Sequence, residues 1–141
     1  MQKIDANLLR TIRIYKRQLI DTGYFSAVFR VSTDNIVKVF CFDKDEEIQR
    51  WLAQDEIRGT MLFKYALPII EVVKAKGWKS GIGLVKKYLP YEMESMDELW
   101  SLYPGYYHPW DFKPENYRKD TDGTIYRIDC QTQASMKFLE D

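Results

Sequence analysis

The residues best suited to chemistry lie in a short stretch near the end of the sequence. Asp111 is followed by a lysine two positions on, Lys113, and by an amide five positions on, Asn116, with Pro114 between them. Thirteen residues after Asn116, Asp129 follows a short run of β-forming residues. A carboxylate can accept a proton from a hydroxyl group, and carboxylate and amide oxygens are ligands that suit Mg²⁺. These residue types supply a base and a cation site if the fold brings Asp129 next to the earlier stretch.

Residues 111–116 resemble the catalytic loop of protein kinases, in which Asp, Lys and Asn have this spacing. Asp129 stands where the metal-binding aspartate of that family would be. The resemblance implies that Asp111 is the catalytic base and that Asn116 and Asp129 bind Mg²⁺. It also implies that Lys113 lies near the transferred phosphoryl group and offsets its charge.

The first half of the chain resembles the N-terminal lobe of the same family, in order and in spacing. Gly23 and Val28 fall where the glycine-rich loop and the valine after it would lie. Ile36 and Lys38 fall on the strand that carries the phosphate-binding lysine of the family. The resemblance therefore implies that these four residues contact a bound nucleotide.

The helix expected after Lys38 carries two candidates for the ionic partner of this lysine. Glu56 has the spacing of the family, 18 residues after Lys38, whereas Asp55 lies closer to the centre of the apolar helix face. Both candidates stay open at this point, with Glu56 preferred. Two further strands lead to Lys87 and Leu89, in a segment that looks like the hinge that contacts adenine through its backbone. The resemblance covers roughly residues 19–129 and implies ATP and Mg²⁺ as cofactors.

Several residues depart from the kinase pattern. Gly23 is the one glycine kept in the loop, so side chains limit how closely the backbone can approach phosphates. Trp110 replaces the arginine before the catalytic aspartate. Cys130 and Gln131 replace the Phe-Gly pair after the metal-binding aspartate, a looseness that is also seen in aminoglycoside-phosphotransferase-like relatives. The departures weaken the match at the phosphate loop and after Asp129.

Hydrophobic periodicity predicts a single α+β domain. Residues 1–89 are expected to form a kinase-like N-terminal lobe, with an N-terminal helix over residues 5–17, a five-stranded antiparallel sheet and one main helix over residues 43–63. Residues 90–141 are expected to form a much reduced C-terminal lobe, because only 22 residues separate Tyr88 from Asp111 and 12 follow Asp129. This part is predicted to hold a short helix over residues 93–103 and a strand over residues 124–128.

A group of aromatic residues lies just before the predicted catalytic loop. Aromatic rings could serve as a stacking platform for nucleic-acid bases, but the chain has no basic surplus. The group is therefore expected to cap the reduced second lobe; its members are Trp100, Tyr103, Tyr106, Tyr107 and Trp110.

Composition and charge exclude several functional classes. The 141 residues are 45% hydrophobic and 30% charged, which suits one globular domain. Because 21 Lys and Arg balance 21 Asp and Glu, neither nucleic acid nor a membrane surface is expected as a partner.

The sequence also lacks the patterns of a membrane or secreted protein. No apolar run reaches the roughly 20 residues of a membrane span, and the N-terminus lacks a signal-peptide pattern. A single histidine, His108, excludes a multi-histidine metal site. A cytoplasmic location is the expectation.

The sequence thus predicts a miniature kinase-like phosphotransferase that moves the γ-phosphate of ATP to a hydroxyl group. A Ser/Thr side chain of a protein is the preferred acceptor, because the placement of Lys113 resembles the Ser/Thr-kinase form. A protein substrate or an activating protein partner is expected to supply surface that the reduced lobe lacks. Two alternatives stay open: a degenerate kinase-like module that binds a protein partner, with or without nucleotide, and a small-molecule kinase of the aminoglycoside-phosphotransferase type.

Overall fold

A six-stranded sheet with one main helix dominates the computed structural model, which describes residues 4–40, 42–105 and 108–138. The strand order is β1-β5-β6-β4-β3-β2, and each pair is antiparallel except β1 with β5, which is parallel. The α+β class is confirmed. The strands are β1 (Arg10–Ile14), β2 (Leu19–Thr22), β3 (Ser26–Arg30), β4 (Asn35–Phe40), β5 (Ile69–Gly77) and β6 (Gly81–Lys87).

A smaller sheet follows in the last third of the chain. Its three antiparallel strands have the order β7-β8-β9 and are β7 (Tyr91–Glu92), β8 (Tyr117–Lys119) and β9 (Ile125–Arg127). A short helix, α2 (Met96–Trp100), lies between β7 and β8. A 3-10 turn at Pro114–Asn116 leads directly into β8, so the predicted catalytic loop ends at the start of the central strand of this sheet.

The main helix, α1 (Glu46–Leu62), begins where the acidic residues of the sequence predicted a helix start. The Asp45 side chain caps it by accepting a hydrogen bond from the Ile48 N–H at 3.0 Å. Leu52 and Ala53 are fully buried against one face of the large sheet, where they pack with Phe40 and other apolar residues. This packing fixes the helix over the strands that carry the predicted phosphate-binding lysine.

Alternation along the central strands separates two cores. Val37 and Val39 of β4 point into one core with Phe29, while Lys38 points to the opposite face, which α1 covers. Register pairs Lys38 with Val28 of β3 on one side and with Leu84 of β6 on the other.

Several hydrogen bonds join the smaller sheet to the segments directly before β5 and directly after β6. The Arg127 backbone N–H donates to the Tyr65 carbonyl at 2.6 Å, and the Leu67 N–H donates to the Arg127 carbonyl at 2.9 Å. From β8, the Arg118 guanidinium donates to the carbonyls of Leu89 at 2.8 Å and Pro90 at 3.2 Å. These bonds hold the smaller sheet against the segment before β5 and the segment that follows β6.

The predicted helix over residues 5–17 is wrong. The chain there forms β1 between two 3-10 turns, and β1 extends the predicted five-stranded antiparallel sheet to a mixed sheet of six strands. The helical face would have buried Leu8, but its side chain is 82% exposed. Ile12 and Ile14 instead pack on one face of the sheet, with the period of two that a strand requires. Parallel pairing with β5 is a long-range contact that the local pattern cannot reveal.

The short elements of the second part are predicted less completely. Strand β9 and helix α2 fall within the predicted ranges 124–128 and 93–103. Strands β7 and β8 were not predicted, because two and three residues are too few to establish an alternating pattern. No helix within the described ranges has the length and the apolar composition needed to cross a membrane.

Candidate active site

Four charged side chains meet between α1, the large sheet and the end of β9. The Lys38 Nζ lies 2.9 Å from Glu56 Oε1 and 3.6 Å from Asp129 Oδ1. The Lys86 Nζ lies 2.8 Å from the same Glu56 oxygen. Lys38, Lys86 and Glu56 are buried, whereas 41% of the Asp129 side chain is exposed. The cluster, which we call the charged cluster, therefore reaches solvent through Asp129.

The electrostatics keep this cluster ionised. Burial opposes ionisation of Glu56, but the ammonium groups of Lys38 and Lys86 outweigh it and lower the pKa of Glu56 to about 2. Burial also disfavours the charged form of Lys38, yet the carboxylates of Asp129 and Glu56 raise its pKa above the usual value. At neutral pH, a buried ammonium of Lys38 thus lies beside a carboxylate that faces solvent.

The partner of Lys38 on α1 is Glu56 and not Asp55. The Asp55 carboxylate accepts hydrogen bonds from the Thr132 backbone N–H and hydroxyl and from the Ser135 hydroxyl, and it pairs with Arg58. Asp55 therefore anchors the segment after Asp129 to the helix. The apolar stripe favoured Asp55 and the spacing from Lys38 favoured Glu56; the contact between Lys38 and Glu56 confirms the preference for Glu56.

The backbone around Asp129 is held on every side. The Arg127 Nε donates to the Asp129 carbonyl at 2.7 Å, and the Gln131 N–H donates to Asp129 Oδ1 at 3.2 Å. The Cys130 N–H donates to Glu56 Oε2 at 3.0 Å. Glu56 thus binds lysine through one carboxylate oxygen and the Asp129 segment through the other.

Asp111 and Asn116 form a second, adjoining group. The Asn116 Nδ2 donates to the Asp111 carbonyl at 2.7 Å and to Asp111 Oδ2 at 3.0 Å. Asp111 has a positive φ of 55°, and the Lys113 Nζ lies 3.6 Å from its Oδ1. The Asp111 and Lys113 side chains are exposed, whereas Asn116 is buried. The loop therefore presents a carboxylate and an ammonium on a buried amide support.

One backbone hydrogen bond connects the two groups. The Ile128 N–H donates to the Asn116 carbonyl at 2.8 Å, which places Asn116 beside the residue before Asp129. A continuous path of contacts then runs from Lys38 through Asp129 and Asn116 to Asp111. Both side-chain bonds of Asn116 noted above use Nδ2 as the donor.

A group of aromatic rings packs around Phe112 of the predicted catalytic loop. Phe112 lies at the centre of the group, and its ring stacks on that of His108 at a centroid distance of 5.2 Å. Edge-on contacts complete the arrangement, with Trp100, Tyr103 and Tyr117. Of the aromatic residues expected to cap this part, Trp100 and Tyr103 pack here, Trp110 is partly exposed, and Tyr106 and Tyr107 lie outside the described residues.

The other predicted contact residues line one side of the charged cluster. Val28 and Ile36 are half-buried and lie on the same face of the sheet as Lys38, since register pairs Val28 with Lys38 and Ile36 with Lys86. Gly23 closes the tight connection between β2 and β3, where its N–H donates to the Ser26 carbonyl at 2.9 Å.

The predicted hinge residues differ in exposure. Lys87 is exposed at the end of β6, and Leu89 is buried. The Arg118 guanidinium donates a hydrogen bond to the Leu89 carbonyl, as described above, so this oxygen is already paired with a protein donor. The hinge prediction did not anticipate this arginine, because β8 was not predicted.

Lys86 is the residue of the charged cluster that sequence reasoning missed. The two lysines that end β6 look alike in the sequence, but alternation turns Lys86 toward the face of Lys38 and Lys87 to solvent. Leu84, two residues earlier on the same strand, points to the same face as Lys86 and is buried. This alternation was the signal that could have identified Lys86.

The oxygen atoms of Asp129 and Asn116 are chemically suited to Mg²⁺, which prefers hard oxygen ligands. Among the described residues there is no group of three or more His, Cys, Asp or Glu that could hold a metal by itself. Two protein ligands fit the usual pattern for Mg²⁺, which takes its remaining ligands from water and from substrate phosphates. Burial and the nearby Glu56 raise the pKa of the Cys130 thiol to about 11, so the thiol stays protonated at neutral pH.

Gly59 allows α1 to approach the Asp129 segment. A Cβ atom at this position would lie 1.6 Å from the Cys130 carbonyl oxygen, so backbone would have to move. We expect Gly59→Ala to lower the free energy of unfolding by about 1–3 kcal/mol, as overpacking does, although alanine favours helix by about 1 kcal/mol. Urea denaturation measures the effect.

Gly23→Ala is the matched control for this prediction. A Cβ at Gly23 would meet nothing within 4 Å, so we expect a change within about 0.5 kcal/mol. Equal stability of the two variants would show that α1 does not pack this closely on Cys130.

A scan against protein-family models finds no model that matches this chain, and a search of curated proteins finds no significant match.

Proposed function

We propose that this protein is a kinase-like phosphotransferase that moves the γ-phosphate of ATP to a hydroxyl group, with Ser or Thr of a protein as the acceptor. One observation carries the proposal. The Lys38 ammonium lies within 3.6 Å of the carboxylates of both Glu56 and Asp129, which are 73 residues apart in the chain, and the carboxylate of Asp129 faces solvent. An ammonium and a carboxylate so arranged suit a triphosphate and its Mg²⁺ ion.

Each element of the site has a task in this reaction. Lys38, held by Glu56, donates to phosphate oxygens, and Val28 and Ile36 provide an apolar surface for the base. Bound Mg²⁺ would neutralise charge on the phosphates, and Asp129 and Asn116 would hold it.

The loop residues act on the acceptor. Asp111 orients the incoming hydroxyl group and accepts its proton as the oxygen attacks the γ-phosphorus, while the bond between the γ-phosphorus and the β-phosphate oxygen breaks and ADP leaves. Lys113 offsets negative charge on the phosphoryl group as it is transferred. Its Nζ lies 3.6 Å from the Asp111 carboxylate. Among the described residues after β6, only α2, the three short strands of the smaller sheet and 3-10 turns accompany the loop, so we propose that the protein substrate or a protein partner completes the acceptor site.

A second candidate function is a kinase-like module that binds a protein partner without catalysis. Two hydrogen bonds favour this candidate. The Arg118 guanidinium donates to the carbonyls of Leu89 and Pro90, in the segment that is proposed to contact the base of the nucleotide. Nucleotide binding without phosphoryl transfer, in the presence of the natural partner, would support this candidate.

The proposal is tested first by nucleotide binding. We expect saturating Mg-ATP to raise the melting temperature of the protein by several degrees, since a ligand at 100 times its Kd stabilises by about 2.7 kcal/mol. Lys38→Ala and Asp129→Ala should lose the shift. Differential scanning fluorimetry with and without Mg-ATP measures it.

Lys76→Ala is the control, because Lys76 is an exposed lysine on β5 away from the charged cluster. It should keep the full shift. Absence of any shift in the wild type at millimolar Mg-ATP would overturn the proposed nucleotide site.

A further inference from the structure

Lys86 is a fully buried lysine to which the proposed reaction assigns no task. Its Nζ donates to Glu56 Oε1 at 2.8 Å and to the Ile128 carbonyl at 3.2 Å. It is therefore bonded both to the partner of Lys38 and to the residue directly before Asp129.

Stability alone does not account for a lysine at this position. Leu84 and Val85, its neighbours on β6, are buried apolar residues, and an apolar side chain is often as stabilising as a buried ion pair. Moreover, Lys86 and Lys38 donate to the same oxygen of Glu56, which brings two positive charges together. Because the repulsion between these two ammonium groups opposes folding, we expect Lys86 to contribute to the function of the site as well as to its stability.

We propose that Lys86 is a positioning residue that fixes Asp129 for cation binding. It does so through two bonds. The bond to the Ile128 carbonyl holds the chain on one side of Asp129, while the bond to Glu56 keeps this carboxylate oriented so that its other oxygen accepts the Cys130 N–H on the other side.

Lys86 also balances the charge of the site. With two lysines and two carboxylates, the charged cluster has a formal charge of zero. Without Lys86 the cluster would carry one net negative charge. Lys38 would then be the one lysine left in the charged cluster, and it would interact with the carboxylates of Glu56 and Asp129 at the expense of an incoming phosphate.

The test compares Lys86→Met with Val85→Ala, a variant of the same strand whose side chain lies in the opposite core. In the unliganded protein, we expect Lys86→Met to speed hydrogen exchange of the Cys130 and Gln131 amides at least tenfold. We also expect about a tenfold rise in the Mg²⁺ concentration that gives half-maximal binding of a fluorescent ATP analogue. Val85→Ala should change both quantities less than twofold, even where its loss of thermal stability is similar.

Equal exchange and equal Mg²⁺ midpoints in the two variants would overturn the role of Lys86. Should Lys86→Met fail to fold, Lys86→Gln removes the charge, retains a polar side chain and permits the same comparison. The Mg²⁺ measurement rests on the proposed function, whereas the exchange measurement does not. If the wild type binds no nucleotide, the proposed function fails, and the exchange rates alone decide whether Lys86 positions Asp129.

Discussion

Asp111→Asn is expected to abolish phosphoryl transfer while leaving nucleotide binding intact. A positioned general base contributes about 10²–10⁴-fold to rate, so transfer of labelled γ-phosphate to the protein itself or to a generic hydroxyl acceptor should fall by at least about 100-fold. Asparagine adopts the positive φ of this position more readily than most residues, so the loop should keep its conformation. The Kd for Mg-ATP should change by less than about threefold, since Asp111 is not assigned to the phosphates.

Glu115→Gln is the control for this variant. Glu115 is an exposed carboxylate of the same loop and has no assigned role, so transfer should be unchanged within about twofold. Transfer by Asp111→Asn at more than a tenth of the wild-type rate would rule out Asp111 as the base. A wild type that binds Mg-ATP but transfers no phosphate in the presence of its natural partner would favour the binding module.

Glu56→Gln is expected to have the largest effect on stability. The carboxylate is fully buried and bonded to two buried ammonium groups, and removal of one partner from a buried ion pair costs about 3–5 kcal/mol. With an m-value of about 2 kcal/mol/M, the urea midpoint should fall by about 2 M. Urea denaturation followed by circular dichroism measures this change.

The stability difference between wild type and Glu56→Gln should also depend on pH. The pKa of Glu56 is lowered from 4.5 to about 2 in the folded protein, so its ionised form stabilises the fold fully above pH 4.5. This contribution is lost as the pH falls from 4.5 to about 2. Because glutamine does not titrate, the gap between the two proteins should narrow over this window.

Glu47→Gln controls for the loss of a carboxylate from the same helix. Glu47 is exposed in the first turn of α1, so its loss should lower the free energy of unfolding by at most about 1 kcal/mol through the helix dipole.

A double-mutant cycle tests the pairing of Glu56 with Lys86. Lys86→Met should lower the free energy of unfolding less in the Glu56→Gln background than in the wild type, because the lysine that it replaces has already lost its buried carboxylate partner in that background. A loss of less than about 1 kcal/mol in Glu56→Gln would contradict the buried, ionised cluster.

Local patterns in the sequence determined many elements of this protein. The acidic residues around Asp45 predicted the start of α1, and β-branched runs predicted the central strands, because capping and alternation are properties of neighbouring residues. The spacing of Asp111 and Asn116 likewise anticipated two residues that bond to each other, since a loop of six residues has few ways to arrange them.

Tertiary structure alone decided which residues complete the site. Spacing from Lys38 had favoured Glu56 over Asp55, but only the contact of Glu56 with Lys38 and that of Asp55 with Thr132, 77 residues away in the chain, settled the choice. Lys86 entered the cluster because β6 pairs with β4 in one register.

The predicted N-terminal helix failed for the same physical reason. The spacing of apolar residues fitted a helix face, but pairing with β5 along the sheet edge satisfied the backbone of β1 and buried Ile14. Spacing along a chain reports which neighbours share a face, whereas ion pairs, sheet edges and register depend on segments that meet only after folding. The sequence therefore determined the types of chemical groups, and the fold decided which of them lie within bonding distance.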